Sequence, residues 1–442
     1  MIIKNKKEIN TSRLRGKVLD IIEETINSVL PGSLVEKKVK YDSIKEELVI
    51  DNDVYNIAYG RVFVIGGGKA VGKMAEKIEN ILGEKIEEGV VNCNSRNYKT
   101  EKVKVIKAGH PIPNEEGIKG VESMINLTKK YSLTKKDIII CLVSGGGSSL
   151  MTYPFEGIKL GELREVNNLL IECGAEIEEI NLVRKSLSRI KGGKLNGFFY
   201  PARIVSLIIS DIVAGGIESV ASGPTVFSDY SPLDALAVLE KYNLENKVSA
   251  NIINFLKGFS GEEKSNKKIS VKNYVIGDNK IALNKAKEKA KELGFDPFII
   301  SSNQKGETYK IAKLRAEEIK KGKYKNYNLL LIGGETTPCL PQNHGNGGRN
   351  QHYVAVSLKE LIDYKKKWLV ASFSTDGVDY SLPVAGAVAD NFSTEQIKQK
   401  RIKIEPYLSK YNTNDLFKII DGSFVETGNT GTNVGDIMIY VI

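Results

Sequence analysis

Five strand-like runs, each ending in a polar and mostly glycine-containing loop, constrain this chain more than any other feature. Residues 61–65 lead into Gly66-Gly67-Gly68-Lys69, and 137–143 into Ser144-Gly145-Gly146-Gly147-Ser148-Ser149. Residues 204–209 lead into Ser210-Asp211, 329–332 into Gly333-Gly334-Glu335-Thr336-Thr337, and 369–374 into Thr375-Asp376-Gly377. Short apolar runs of this kind read as strands buried on both faces. Between them lie segments with apolar residues at helical spacing, such as 70–82, 160–173, 280–293 and 308–320. The alternation predicts an α/β protein with largely parallel sheets. In such sheets ligands bind beyond the carboxyl ends of the strands, so these loops are where chemistry is expected.

A length of 442 residues suggests two or three domains, each able to bury a core. The polar stretch 258–268 is the best linker candidate and divides the chain into domains 1–258 and 269–442. The net charge is +10, but lysines are interspersed with glutamates, and no basic run carries aromatic spacing. The excess therefore reads as a lysine-rich surface plus a site that prefers anions, and nucleic-acid binding is not expected. Four cysteines stand far apart. Cys93 and Cys141 lie in or beside apolar runs and read as core residues, so neither disulfides nor zinc is expected. With no secretory signal and no apolar stretch long enough to span a bilayer, the expected setting is the cytoplasm, away from membranes. A homodimer is compatible with the sequence.

The loops supply specific chemistry. Glu335 can hold a cation, Thr336 can donate to an oxyanion, and Arg349, followed by Asn350, carries a planar fork that matches phosphate or carboxylate. The Gly66-Gly67-Gly68-Lys69 turn can aim amides and a lysine at an oxyanion near a helix start. It is neither a Walker A motif nor the dinucleotide fingerprint, which would need a glycine where Val71 stands. Ser144-Gly145-Gly146-Gly147-Ser148 suits phosphate in the same way. Arg184 and Lys185 place two cations on a predicted helix. Asp211 and Asp376 end strands, and with Glu335 they are the candidates for Mg²⁺ binding or for accepting a substrate proton. Sequence leaves those roles undivided. His110, His344 and His352 form no recognisable triad, and His110, which precedes a proline, is expected to pack or cap.

Taken together, these motifs resemble one family. The Gly66–Ala70 and Ser144–Ser148 loops, Gly109-His110-Pro111-Ile112-Pro113, Asn181-Leu182-Val183-Arg184-Lys185, Lys191-Gly192-Gly193 and Ala221-Ser222-Gly223-Pro224-Thr225 resemble the N-terminal domain of the glycerate 2-kinases. The Gly333–Thr337 loop, Gly347-Gly348-Arg349-Asn350-Gln351, Thr375-Asp376-Gly377 and Gly431-Thr432-Asn433-Val434 resemble its C-terminal MOFRL domain. The resemblance implies two α/β domains, the larger Rossmann-like, with the active site in the cleft between them. It implies transfer of the γ-phosphoryl of ATP, with Mg²⁺, to the 2-hydroxyl of D-glycerate, and it maps a family lysine and arginine onto Lys69 and Arg349. Phosphoryl transfer depends on positioned cations more than on covalent chemistry.

The chain departs from the family pattern at 212–216, at Ser186, at 338–344, at His352 and at Gly428-Asn429-Thr430. The alternatives are a kinase for another small hydroxy acid, an NAD(P)-dependent hydroxypyruvate reductase, and a non-catalytic anion-binding relative.

Overall fold

The computed structural model describes residues 1–212, 216–258 and 269–442. Most of the expected linker, and the middle of the 212–216 departure, lie outside the described residues. The chain divides into two compact units. One is Leu34–Ile276; the other joins Met1–Ser33 to Gly277–Ile442. The division is therefore not the linear one expected at 1–258 and 269–442, because the first 33 residues fold with the C-terminal part.

The strands in chain order are β1 Val39–Asp42, β2 Glu47–Ile50, β3 Asp53–Asn56, β4 Val62–Gly67, β5 Ile86–Cys93, β6 Val103–Lys107, β7 Ile138–Ser144 and β8 Arg203–Ile209. They continue as β9 Val271–Gly277, β10 Pro297–Gln304, β11 Leu329–Gly334, β12 Leu369–Ser374, β13 Val384–Asp390, β14 Phe424–Glu426 and β15 Asp436–Val441. Strands β1 to β3 form a small antiparallel sheet.

The main sheet of the first unit has the order β6-β5-β4-β7-β8-β9, with parallel registers from β6 through β8. Counted in its own chain order this is 3-2-1-4-5-6, the doubly wound arrangement. Every residue of β4 and β7 is buried, which is why their sequences are continuous apolar runs rather than alternating ones. Phe63, Ile65, Ile139, Cys141 and Ile204 pack with Val121 and Met124 of the helix Glu115–Tyr131. That helix is capped at its start by Asn114, whose side chain accepts the Gly117 amide at 3.1 Å. A separate helical core joins Leu170, Val183, Leu239 and Ile252. Cys93 and Cys141 are buried free thiols.

The sheet of the second unit has the order β10-β11-β15-β12-β13-β14. Only β10 and β11 pair in parallel; β15 runs antiparallel to both β11 and β12. The α/β class holds, but this second sheet is mixed. The helix Arg13–Ser28 packs on the helix Asn279–Glu292 of the same unit. No described helix is long and apolar enough to cross a membrane.

Candidate active site

In the first unit the strand order reverses between β4 and β7, and their carboxyl-end loops are the Gly66–Lys69 turn and the Ser144–Ser149 loop. The glycines of the first turn have a packing reason. A Cβ on Gly66 would stand 2.0 Å from the Leu142 carbonyl oxygen, and one on Gly68 would stand 2.1 Å from Ser144 Oγ, with φ at +142° and +154°. The turn's amides are also engaged within the protein. Gly68 N donates to the Asn92 carbonyl at 3.1 Å, Lys69 N to Gly145 at 2.9 Å, and Ala70 N to Ser144 Oγ at 3.1 Å. The expectation that Gly66, Gly67 and Gly68 cradle phosphate with free amides is therefore corrected: strand contacts use these groups. What the turn presents is the Lys69 side chain.

Three side chains converge on the next turn. A Cβ on Gly145 would lie 1.9 Å from Asp211 Oδ2. A Cβ on Gly146 would lie 2.9 Å from His110 Nε2 and 3.0 Å from Lys69 Cγ. Among the described residues no carboxylate pairs with the Lys69 ammonium. His110 is held below its ordinary pKa by partial desolvation and by the Lys69 charge. A cation, an imidazole and a carboxylate thus surround a side-chain-free turn at the point where the sheet reverses. His110, expected as a packing residue, belongs to this constellation. The signal was its position on the loop after β6, beside the first sheet's other strand ends.

Ser148 and the buried Ser222 share a hydrogen bond at 2.9 Å, and Ser222 Oγ donates to Asn181 Oδ1 at 3.0 Å. The buried Lys191 donates to the carbonyls of Ser148 and Met151, both at 2.9 Å, and so closes the short helix Gly147–Leu150. Burial pushes Lys191 down to about 7, and Arg184 and Lys194 add repulsion. Arg184 donates to Asn167 at 2.7 Å, and it lines a cavity of about 60 Å³ with Ser148, Ser149 and Lys191. Lys185 is buried and donates to Ser228 at 3.0 Å. Arg184 thus lines a cavity with the Ser148 loop, whereas Lys185 is bonded into the fold.

In the second unit, Arg349 opens the helix Arg349–Leu361. Its Nε and Nη2 donate to Asp436 at 2.5 and 2.9 Å, and its Nη1 lies 3.1 Å from Glu335. Desolvation opposes the guanidinium charge, but the buried Asp436 carboxylate outweighs it and holds the pKa above its ordinary value. Asp436 is here because β15 is antiparallel: its first residue pairs with Gly334 of β11 and Ser374 of β12. Asp376 Oδ1 accepts from Ser374 Oγ at 2.7 Å and from Val378 N at 2.9 Å, an Asx turn. Asp379 accepts the amides of Asn350 and Gln351, both at 2.8 Å, and caps a helix whose own N-cap, Gly348, has no side chain to do so. Burial raises Asp379 to about 7 despite those amides.

Two expected substrate contacts are corrected. Thr336 is buried with its hydroxyl on Thr308 at 3.1 Å, and Asn350 is buried with its Oδ1 on Ser372 at 2.5 Å. Among the described residues no group of three or more His, Cys, Asp or Glu is placed to hold a metal ion. Asp211 and Glu335, the expected metal ligands, belong to different units.

His352, on the same helix, is 2% exposed and stacks on Tyr411 with ring centroids 3.9 Å apart. Burial pushes its pKa from 6.5 to about 4. Below its ordinary pKa the unfolded chain takes up a proton that the folded protein refuses, so this stability contribution is lost as pH falls from about 6.5 to about 4. His352→Phe keeps the stacking and removes the titration. Its melting temperature is expected to fall less steeply than wild type over that interval; parallel pH profiles would contradict the assignment.

The fold and these loops define a two-unit α/β protein that gathers a cation, an imidazole and a carboxylate at the strand ends of one unit. Residues 17–257 match the domain of unknown function DUF4147, and 328–436 match the MOFRL family. A glycerate 2-kinase from Pyrococcus horikoshii is 34% identical over 434 residues, covering 96% of each chain. The solved structure of glycerate kinase from Thermotoga maritima superposes with a TM-score of 0.84 at 31% identity, covering 97% of this chain and 99% of that one. A putative hydroxypyruvate reductase from Agrobacterium vitis is 33% identical, covering 87% of this chain and all of its own. The chain belongs to the glycerate 2-kinase family.

Proposed function

We propose that this protein transfers the γ-phosphoryl group of ATP to the 2-hydroxyl of D-glycerate, giving 2-phosphoglycerate, and that it works in the cytoplasm. The observation that carries this is the Lys69 ammonium, which pairs with no carboxylate among the described residues and stands near His110 and Asp211 at the strand-order reversal, in a chain of glycerate 2-kinase ancestry over nearly its whole length. Lys69 and the Ser144–Ser148 loop face the phosphates. Asp211 fits Mg²⁺, because that ion takes one or two carboxylates and completes its shell with phosphate and water. When bound, the ion neutralises charge on the β- and γ-phosphates.

Arg349 takes the glycerate carboxylate. Two of its nitrogens are fixed by Asp436, which sets the plane of the fork. The third faces Glu335, whose side chain is 44% exposed. The substrate carboxylate replaces Glu335 at that nitrogen. An exposed pair of this kind contributes about 0.2–1 kcal/mol. Glu335→Gln is therefore expected to lower KM for D-glycerate roughly two- to fivefold with kcat little changed. A raised KM would make Glu335 a direct ligand instead. Asp376, held in its turn by Ser374, is the candidate for taking the hydroxyl proton.

The test is turnover of purified protein with ATP, Mg²⁺ and a panel of small hydroxy acids, with NADH and hydroxypyruvate in a parallel cuvette. ADP formation dependent on D-glycerate supports the reading. Steady NADH consumption without ADP formation would replace it with a reductase.

A further inference from the structure

The proposed chemistry leaves unused the cavity of about 60 Å³ that Arg184 lines in the first unit. Its polar side is formed by Ser148, Ser149, Thr152, Arg184 and Lys191, and its apolar side includes Leu163, Val166 and Leu170. No aspartate or glutamate lines it. A water needs about 10–15 Å³ of such space, so the cavity has room for about four to six water-sized atoms. That is the size of acetate or of a phosphate ion.

Two cations line this space without a counter-ion. The half-buried Arg184 donates through Nε to Asn167 at 2.7 Å. Through Nη1 it reaches Asn181 Oδ1 only at 3.4 Å, an oxygen that already accepts from Ser222 Oγ. Its Nη2 makes no hydrogen bond, and no carboxylate pairs with the guanidinium, among the described residues. The buried Lys191 uses two of its N–H donors on the Ser148 and Met151 carbonyls, which leaves a third. Desolvation lowers the pKa of both cations with no acid opposing it, and the Arg184 and Lys194 charges lower Lys191 further. Lys185 does feel a carboxylate, Glu218, but it donates to Ser228 and does not line the cavity. Charges withdrawn from water are normally paired, so two like charges on one cavity with no acid beside them mark a place for an anion. The Ser149 hydroxyl, which has no partner among the described residues, is a further donor on the same side.

We propose that this cavity binds a small oxyanion, a carboxylate or a phosphate. Arg184 Nη2, the remaining Lys191 N–H and the Ser149 hydroxyl are its donors, and the apolar side limits its size. The ion pairs the same ammonium that holds the Ser148 and Met151 carbonyls, and so fixes the Ser144–Ser149 loop.

The experiment is isothermal titration calorimetry of the full-length protein with acetate and, separately, with inorganic phosphate, at constant ionic strength and beside thermal melts. Saturable binding of at least one ion is expected, with a melting temperature that rises with its concentration. Affinity should be unchanged in Lys69→Ala. It should fall about tenfold in Arg184→Lys, which keeps the charge and loses the fork, and vanish in Arg184→Met. Binding of acetate alone or of phosphate alone tells the two sources apart, and either supports the proposal. No saturable binding of either ion, or wild-type affinity in Arg184→Met, would overturn it. So would binding lost in Lys69→Ala and kept in the Arg184 variants, which would return the ion to the Lys69 turn. If Arg184→Met does not fold, Arg184→Lys decides, and wild-type affinity there overturns the proposal. None of these readouts requires kinase turnover, so the result stands apart from the proposed activity.

Discussion

Lys69→Ala is expected to lower kcat roughly 10²–10³-fold, the scale on which one positioned donor stabilises developing charge on an oxyanion. Its melting temperature should stay near wild type. Lys69 has no carboxylate partner among the described residues. It stands just before a helix start, where the helix dipole disfavours a cation, and beside an imidazole whose pKa its charge depresses. Folding gains little from a cation placed this way. Its truncation belongs with surface changes worth about 0.5 kcal/mol or less. Lys69→Arg restores the charge with a different shape and is expected to recover only part of the rate. The assay is steady-state kinetics in ATP and D-glycerate beside a thermal melt. A near-wild-type rate would remove Lys69 from the chemistry, and a large fall in melting temperature would make it structural.

Arg15→Met has the largest expected effect on stability. Arg15 is fully buried. Nε and Nη2 donate to Asp390 at 3.0 and 2.8 Å, and Nη1 donates to the Gly422 carbonyl at 2.7 Å. This bidentate pair fastens the helix Arg13–Ser28 to the end of β13, from which Asp390 also caps the helix Asn391–Gln399. Removing the guanidinium leaves the buried Asp390 carboxylate without a counter-ion, held only by its Ser393 cap, and takes a donor from the Gly422 carbonyl, a cost of about 3–5 kcal/mol. Melting is expected to drop by roughly 10 °C. Adding Asp390→Asn to Arg15→Met should recover part of the loss, because the uncompensated charge is then gone. Equal melting of Arg15→Met and wild type would show that the N-terminal helix is held by its apolar face alone.

The strands of the first sheet were legible because burial on both faces leaves an unbroken apolar run, and two of their loops meet where the strand order reverses. The glycines misled in a specific way. Gly66 and Gly68 could be read as making room for a ligand, but the close approach they permit is to Leu142 and Ser144 on the neighbouring strand. Asp436 was hidden by the expectation of a parallel sheet, which would put the start of the last strand at the far edge. An antiparallel β15 brings it beside Gly334 and Ser374 instead. Strand β13, Val384–Asp390, has a small-residue sequence with little strand propensity and forms because both neighbours pair with it. Arg15 and Asp379 escaped for a common reason: their partners, Asp390 and the amides of Asn350 and Gln351, are distant in sequence, and no local pattern announces them.

The most direct measurement is the ³¹P NMR spectrum of the product formed from ATP, Mg²⁺ and D-glycerate. The account predicts a resonance coupled to the single proton at C2, that of 2-phosphoglycerate, growing far more slowly when Lys69→Ala replaces the wild-type enzyme. A resonance coupled to the two C3 protons, that of 3-phosphoglycerate, would contradict the proposed acceptor, and no phosphorylated product from any hydroxy acid would contradict the kinase itself.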